Sequence, residues 1–515
     1  MSATNAAIRF SFTAIVATVL VFVQPALAAS PTLFGRPDGI RTDDNREIPL
    51  QLDELAVDVV ALGDLAEVTV DATFGHNDDG VSEGTFEMQL PVGAVVTGYA
   101  LDIDDEMIDG VLVRQAKARV AFEERVRADI DPGLAEISRA NVFTTRVYPV
   151  NSDGRRIRLS FVAPFDSART LTLPLQSAIP VATARIRVRA IGTPPRVTLP
   201  AGFEGVRRTS NDGIEIESAR SDATLTGALI ITAATPPETL IVSKGFDGTN
   251  YFQLRAEPPT AATMSRAARR VRVYWDISRS RLGQDLAREV ELLHALLARL
   301  RTETVDLVAF NSSGVATFAA QDAADTTRTI DGLTYRGATS FAVLDNARLP
   351  RADRCLLFSD GLVTIDARTT LPPGCRADAI TSAADADLAY LARITAETGG
   401  GAWSLAHARP DEIVDAIAAA APRPVAARDQ TGKALELAQL PGGLLVGRAP
   451  ATGTLIVTYA DSRGVEREER YRSATRTAPF AGTGATWAAA RAAELDSMDG
   501  FGAEAEAVAR RHFVA

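Results

Sequence analysis

Arg270-Val271-Arg272-Val273-Tyr274-Trp275-Asp276-Ile277-Ser278-Arg279-Ser280 holds the decisive reading of this chain. Val271 to Trp275 is largely apolar, as a buried strand requires, and it gives way at once to side chains bearing oxygen. Working outward, the spacing predicts a helix over Leu282 to Arg301 and strands over Thr304 to Phe310, Arg354 to Ser359 and Asp378 to Ala383. A helix over Asp387 to Thr398 stops at three glycines, and a last helix covers Pro410 to Ala420. Strands alternating with amphipathic helices call for a parallel sheet covered by helices on both faces, here over residues 268–421. Ligands of such sheets sit at the carboxyl ends of the strands.

The candidate site residues fall at those ends. Asp276, Ser278 and Ser280 follow the first strand, Thr339 lies in the loop Gly337-Ala338-Thr339-Ser340, and Asp360-Gly361 ends the strand Cys355-Leu356-Leu357-Phe358-Ser359. Two carboxylates and three hydroxyls are oxygen donors, which hard cations such as magnesium or calcium prefer. The arrangement resembles the metal-ion-dependent adhesion site of von Willebrand factor A and integrin I domains, written Asp-x-Ser-x-Ser, a later Thr and a later Asp-Gly. The resemblance implies a Rossmann-like fold and a bound Mg2+, with Ca2+ or Mn2+ as alternatives. Ser278, Ser280 and Thr339 would then touch the metal while Asp276 and Asp360 act largely through water. It also implies a protein partner that offers a Glu or Asp carboxylate to the metal. One position departs from the pattern: Arg279 stands where a small residue is usual, and Arg281 follows. A guanidinium pointing inward would oppose a cation, and one pointing outward would grip the partner's carboxylate. The alternatives are a metal-free A fold and, for Ser278 and Ser280 alone, helix capping.

The flanks have another texture. From Ile48 to Phe165 short alternating segments such as Ala66 to Val70 and Thr85 to Leu90 indicate strands with one buried face, interrupted by a helical insertion from Val113 to Arg127. Phe86 to Leu90 followed by Pro91, then Ala121-Phe122-Glu123, Asn141-Val142-Phe143 and Arg146-Val147-Tyr148-Pro149-Val150 resemble the VIT domain of vault proteins and inter-alpha-trypsin inhibitor heavy chains. That domain is implied over residues 36–168, β-rich and without catalytic chemistry. Strands such as Ala184 to Ala190 and Ala228 to Thr232 continue over 169–265 and resume over 422–482, so both flanks are expected to build one β-sandwich around the inserted α/β unit. Ala485 to Leu495 and Ala503 to Arg511 read as helices of a terminal segment, 483–515.

The expected whole is multidomain, α/β plus all-β, in keeping with 515 residues and ~150 per domain. The 65 acidic against 54 basic residues give a net charge of −11, which argues against a nucleic-acid or anionic-lipid surface. Arg9, the apolar run Phe12 to Val23, Pro25 and Ala26-Leu27-Ala28 have the order of a cleavable secretory signal over residues 1–28, and the expected location is the periplasm or outside. Cys355 and Cys375 then form a disulfide, worth ~3 kcal/mol in the chain-entropy model, or stay as two buried thiols. Asn77-Asp78-Asp79-Gly80 reads as a tight turn, and the four histidines have no zinc spacing. Neither a nucleophile elbow nor a phosphate-binding Gly loop is present, so no enzyme is expected. The expected function is exported, metal-dependent protein binding; a metal-independent envelope scaffold and a metal-dependent hydrolase are the alternatives.

Overall fold

The computed structural model describes residues 31–512 except 37–47, 76–81, 111–134, 138–141, 151–153, 235–239, 256–267, 347–349, 363–370, 461–464, 474–477, 497–501 and single or paired residues elsewhere. The expected signal segment, the helical insertion over 113–127 and the Asn77 to Gly80 turn lie outside the described residues. Among the described residues no helix is long and apolar enough to cross a membrane.

Alternation builds the first core. Along Leu65–Gly75 the side chains of Ala66, Val68, Val70, Ala72 and Phe74 turn inward, while Glu67, Thr69, Asp71 and Thr73 sit on the wetter face. This strand is the fifth in an eight-stranded sheet that runs Val206–Ser210, Gly213–Ala223, Val181–Ile191, Gln51–Leu62, Leu65–Gly75, Arg155–Pro164, Val95–Ile103 and Glu106–Asp109. A five-stranded sheet centred on Ser82–Gln89 and a three-stranded sheet centred on Ala228–Thr232 share its apolar core, where Phe74, Phe86, Phe161 and Ile231 are buried together. The boundary expected between residues 168 and 169 therefore runs through one sheet and one core. Its physical cause is a non-local pairing: Val181–Ile191 lies parallel to Gln51–Leu62, with Val188 beside Val59.

Strands from before and after the α/β unit share a second core. Leu240–Lys244 and Asn250–Leu254 pair with Leu445–Arg448 and Leu437–Gln439 in one sheet. Phe252, Leu254, Leu445, Leu455, Val457 and Tyr459 bury this sheet against another, formed by Ala434–Leu435, Arg423–Asp429, Thr454–Ala460 and Glu466–Arg472.

Between them lies a six-stranded sheet. Its elements are β1 (Arg270–Asp276), α1 (Leu286–Leu300), β2 (Thr304–Asn311), β3 (Gly314–Gln321), α2 (Ala323–Asp331), β4 (Arg354–Phe358), β5 (Ala377–Thr381), α3 (Leu388–Ala396), β6 (Ala402–Ser404) and α4 (Pro410–Ala419). The strand order is β3-β2-β1-β4-β5-β6. All neighbours are parallel except β3, which returns antiparallel to β2, so the sheet is mixed where an all-parallel one was expected. Leu292, Leu293, Leu296 and Leu297 of α1 and Ile413 and Ile417 of α4 pack on one face against Val271, Val273 and Trp275. Tyr390, Leu391 and Ile394 of α3 pack on the other with Tyr274, Val308 and Leu357. Burial on both faces explains why Val271 to Trp275 is largely apolar, with the buried Arg272 as the exception. Helix α1 starts four residues later than predicted, because Gly283 takes φ +86° and Asp285 caps the helix by accepting from Arg288 N.

Two terminal helices, α5 (Gly482–Asp496) and α6 (Gly502–Arg511), follow. Ala485, Trp487 and Ala488 of α5 pack against Leu65 and Val162 of the first sheet and Leu444 and Val446 of the other. Glu67 accepts from Gly482 N at 2.6 Å, placing a carboxylate at the amino end of α5. Just beyond α6, His512 is buried against Tyr251 and Trp487. Tyr251 Oη donates to Asp247 Oδ2 at 3.0 Å and lies 3.2 Å from His512 Nε2. Burial lowers the His512 pKa below its ordinary 6.5, Arg511 and Arg448 push it the same way, and Asp247 opposes them. A histidine with a lowered folded pKa contributes stability above its unfolded value and loses it as pH falls through the folded one. Acidification from pH 7.5 to 5 is therefore expected to loosen α6. Hydrogen exchange along α6, corrected for intrinsic rates, should show this in the parent chain and not in His512→Phe; equal protection at both pH values would refute it.

Candidate metal centre

The order β3-β2-β1-β4-β5-β6 reverses direction between β1 and β4. At such a switch point the connections leave for opposite faces and open a crevice at the strand ends. Asp276 closes β1 and Asp360 lies two residues after β4, so the two carboxylates flank that crevice. Both are fully buried, as are Ser278 and Thr339 to within 1%.

Local hydrogen bonds explain how each group is held. Asp276 Oδ1 accepts from Ser278 N at 2.8 Å, which folds the chain sharply at the strand end. Its Oδ2 accepts from Ser359 Oγ at 2.7 Å, tying the end of β1 to the end of β4. A short 3-10 turn over Arg279–Arg281 follows, and the Ser278 side chain makes no capping bond to it. The Ser278 and Ser280 hydroxyls instead meet at 3.0 Å. Helix capping, the simpler account of these serines, is thereby replaced by Asp285 acting at α1.

Thr339 belongs to a loop stitched to the same turn. Gly337 O accepts from Arg279 N at 2.9 Å, and Ala338 O accepts from Ser312 N at 2.8 Å. Gly337 takes φ +75°, a conformation that favours glycine. Asp360 Oδ1 accepts from Leu362 N at 3.1 Å and its Oδ2 from Gln284 Nε2 at 2.9 Å. Gly361 has φ +71°, and a Cβ there would come within 2.9 Å of Leu391 and of Asp387 O, which accounts for the Asp-Gly pair.

The two arginines have opposite roles. Arg279, the departure from the motif, is exposed. Arg281 is the one that points inward: it is fully buried, pairs with the equally buried Glu289, donates to Gln284 Oε1 and lies 5.9 Å over the Trp275 ring. Glu289 Oε1 also accepts from Ser382 N at 2.7 Å, linking α1 to the end of β5. Burial raises the Asp276 pKa, with Asp360 adding to the rise and Ser359 and Arg281 opposing it. Three buried carboxylates, Asp276, Asp360 and Glu289, thus face one buried guanidinium, which leaves an excess of two negative charges when all are ionised.

The residues present fit a divalent cation on that charge and on their donor chemistry. No group of three or more His, Cys, Asp or Glu side chains among the described residues is placed to hold a metal. Were a cation bound there, Ser278, Ser280 and Thr339 would be its hydroxyl donors, with Asp276 and Asp360 behind them. Ser359, Gln284 and Glu289 escaped the sequence reading as parts of this network, and Arg281 entered it only as a neighbour of the motif. The signal available was the apposition of Ser359 to Asp360 at a strand end and of Arg281 to Ser280.

Residues 52–162 match the Vault protein inter-alpha-trypsin domain, VIT. The chain carries a VIT domain. The match falls on the first core, and the VIT segment contributes Gln51–Leu62, Leu65–Gly75 and Arg155–Pro164 to its large sheet. The candidate metal residues lie outside the VIT segment. No curated protein matches the chain. Among solved structures, a candidate protease from Parabacteroides distasonis is 14% identical, with 35% of this chain covering 39% of that one. Its TM-score of 0.20 carries no argument about fold or activity. The cysteines at 355 and 375 are joined in a disulfide.

Proposed function

We propose that the chain is an exported protein-binding, adhesion-type protein. In this reading residues 268–421 form a Rossmann-like von Willebrand factor A domain inserted between β-rich flanks. It holds Mg2+, or Ca2+ or Mn2+, through Asp276, Ser278, Ser280, Thr339 and Asp360. The observation that carries the proposal is the meeting of the Ser278 and Ser280 hydroxyls above two buried carboxylates at the β1/β4 switch point. The central first strand and the antiparallel β3 beside β2 support the fold assignment.

When bound, such a cation supplies an electron-poor centre whose shell a Glu or Asp carboxylate from a partner completes. Hydroxyl ligands neutralise little of its charge, so an incoming carboxylate is attracted strongly. The exposed Arg279 guanidinium and the exposed Leu282 flank the turn and suit contact with that partner. We read the site as one for binding, since hydroxyl donors predominate over carboxylates; hydrolysis through Asp276 or Asp360 is the alternative, and loss of any hydrolytic activity in Asp276→Ala would favour it. The order of Arg9, the apolar run Phe12 to Val23 and Ala26-Leu27-Ala28 supports a signal segment over residues 1–28 and, with it, a periplasmic or secreted location.

Titration calorimetry with Mg2+, Ca2+ and Mn2+ tests the reading. The parent chain is expected to bind one divalent ion, and Thr339→Ala to bind it ~10- to 100-fold more weakly. Absence of heat with all three ions would sink the proposal.

A further inference from the structure

A second charged cluster lies at the opposite end of the same sheet. Arg354 opens β4, Arg376 immediately precedes β5, Asp378 lies in β5 and Arg423 follows α4. The Arg376 and Asp378 side chains are 6% and 0% exposed, and that of Arg354 is 12% exposed. Asp378 Oδ1 is fully engaged: Gly401 N donates at 2.9 Å, and Trp403 Nε1 and Arg376 Nη2 each donate at 3.3 Å. Its Oδ2 stands 3.2 Å from Arg376 Nε and 4.0 Å from Arg354 Nη1, and neither approach has hydrogen-bond geometry. Arg376 Nη1, Arg376 Nε and Arg354 Nη1 are therefore buried donors without an acceptor. Arg423 feels the charge of both Asp378 and Arg376, and its stem lies beside Gly401 and Trp403.

Among the described residues, three guanidinium groups thus share one carboxylate, an excess of two positive charges. Uncompensated buried charge is costly. Burial pushes the Arg354 and Arg423 pKa values down, Arg376 adds to this at both, and Asp378 opposes it. The two strand entries cannot relieve the repulsion by separating, because the disulfide joins Cys355, next to Arg354, to Cys375, next to Arg376. Cys355 N also donates to Arg376 O at 2.8 Å.

We propose that Arg354, Arg376 and Arg423 form a binding site for a small tetrahedral oxyanion, phosphate or sulfate. A dianion matches the excess charge, and the partly exposed Arg354 and Arg423 offer it donors in the planar geometry guanidinium favours, with the sealed Arg376 behind them. Arg354 and the half-buried Arg423 are the groups through which solvent reaches it. The site is independent of the metal proposal, since it uses none of those residues and occupies the other pole of the sheet.

Calorimetry with sodium phosphate and sodium sulfate, at an ionic strength held constant with chloride, is the test. One anion per chain is expected, with affinity falling about tenfold or more in Arg423→Gln, the usual worth of a charge-assisted hydrogen bond. Saturable binding of either anion supports the site, and the tighter one names its ligand. A second variant separates a ligand site from a structural cluster. Arg354→Met removes one of the repelling charges, so in chloride alone its melting temperature should rise by roughly 3 °C while stabilisation by phosphate and sulfate disappears. No heat from either anion, equal binding by Arg423→Gln, or a lowered Arg354→Met melting temperature with stabilisation intact would overturn the proposal.

Discussion

Replacing Arg281 by Met is expected to cost about 3–5 kcal/mol in the presence of chelator, the usual effect of removing one partner from a buried ion pair. The guanidinium is fully buried, pairs with Glu289 and lies within the field of Asp276 and Asp360. Its loss would leave the three carboxylates with no compensating charge. Met conserves much of the apolar contact with Trp275, so the effect is electrostatic more than a matter of packing. The metal reading adds a second expectation. Millimolar Mg2+ or Mn2+ should restore more of the melting temperature in the variant than it adds to the parent, since the cation supplies the positive charge that was removed. Thermal melts of both chains, with chelator and with each ion, measure the two effects together. A variant as stable as the parent in chelator would refute the buried-charge account, and a destabilised variant indifferent to metal would count against the cation.

Asp276→Asn is the complementary change. It keeps the shape and the acceptor for Ser278 N while removing one of the two excess negative charges. The folded chain is expected to remain intact without metal, because burial and Asp360 already disfavour the ionised Asp276. Divalent affinity should fall by about 100-fold, the upper end of what changes behind a metal's direct ligands bring about. Calorimetry reads the affinity and a parallel melt reads the fold. Unchanged affinity would remove Asp276 from the site. Loss of fold would mean that the second carboxylate oxygen, the acceptor for Ser359 Oγ, is what holds the ends of β1 and β4 together.

Much of this was legible in the sequence, because period two and its absence report burial directly. Ala66 to Phe74 alternates and forms a strand with one wet face; Val271 to Trp275 does not, and is covered on both. The pairing across residue 168 was not legible, because the parallel alignment of Val181–Ile191 with Gln51–Leu62 joins strands over a hundred residues apart, and periodicity carries no register. Asp276 and Asp360 lie at the ends of neighbouring parallel strands, where strand direction brings them to one rim, whereas Thr339 lies in a loop held to the same turn through Gly337 O. Which arginine points inward was not legible. Direction there is set by a 3-10 turn pinned through Gly337 O, which leaves Arg279 in solvent and turns Arg281 under the hydroxyls. Gln284 and Glu289 acquire meaning only from that burial. The cluster of Arg354, Arg376 and Arg423 is assembled by neighbouring strand entries, so its members look like ordinary surface charges along the chain.

The α/β unit leaves the chain after Asn250–Leu254 and returns to it at Arg423–Asp429, and both strands end in the core around Phe252, Leu445 and Val457. An anchor built this way has two ropes tied to one post. Under the proposed adhesion, a tug on a partner at the β1/β4 rim would divide between two backbone connections, both tied into strands of that shared core. In that reading the fork would share a load that a bead hung on a single linker would transmit through one strand.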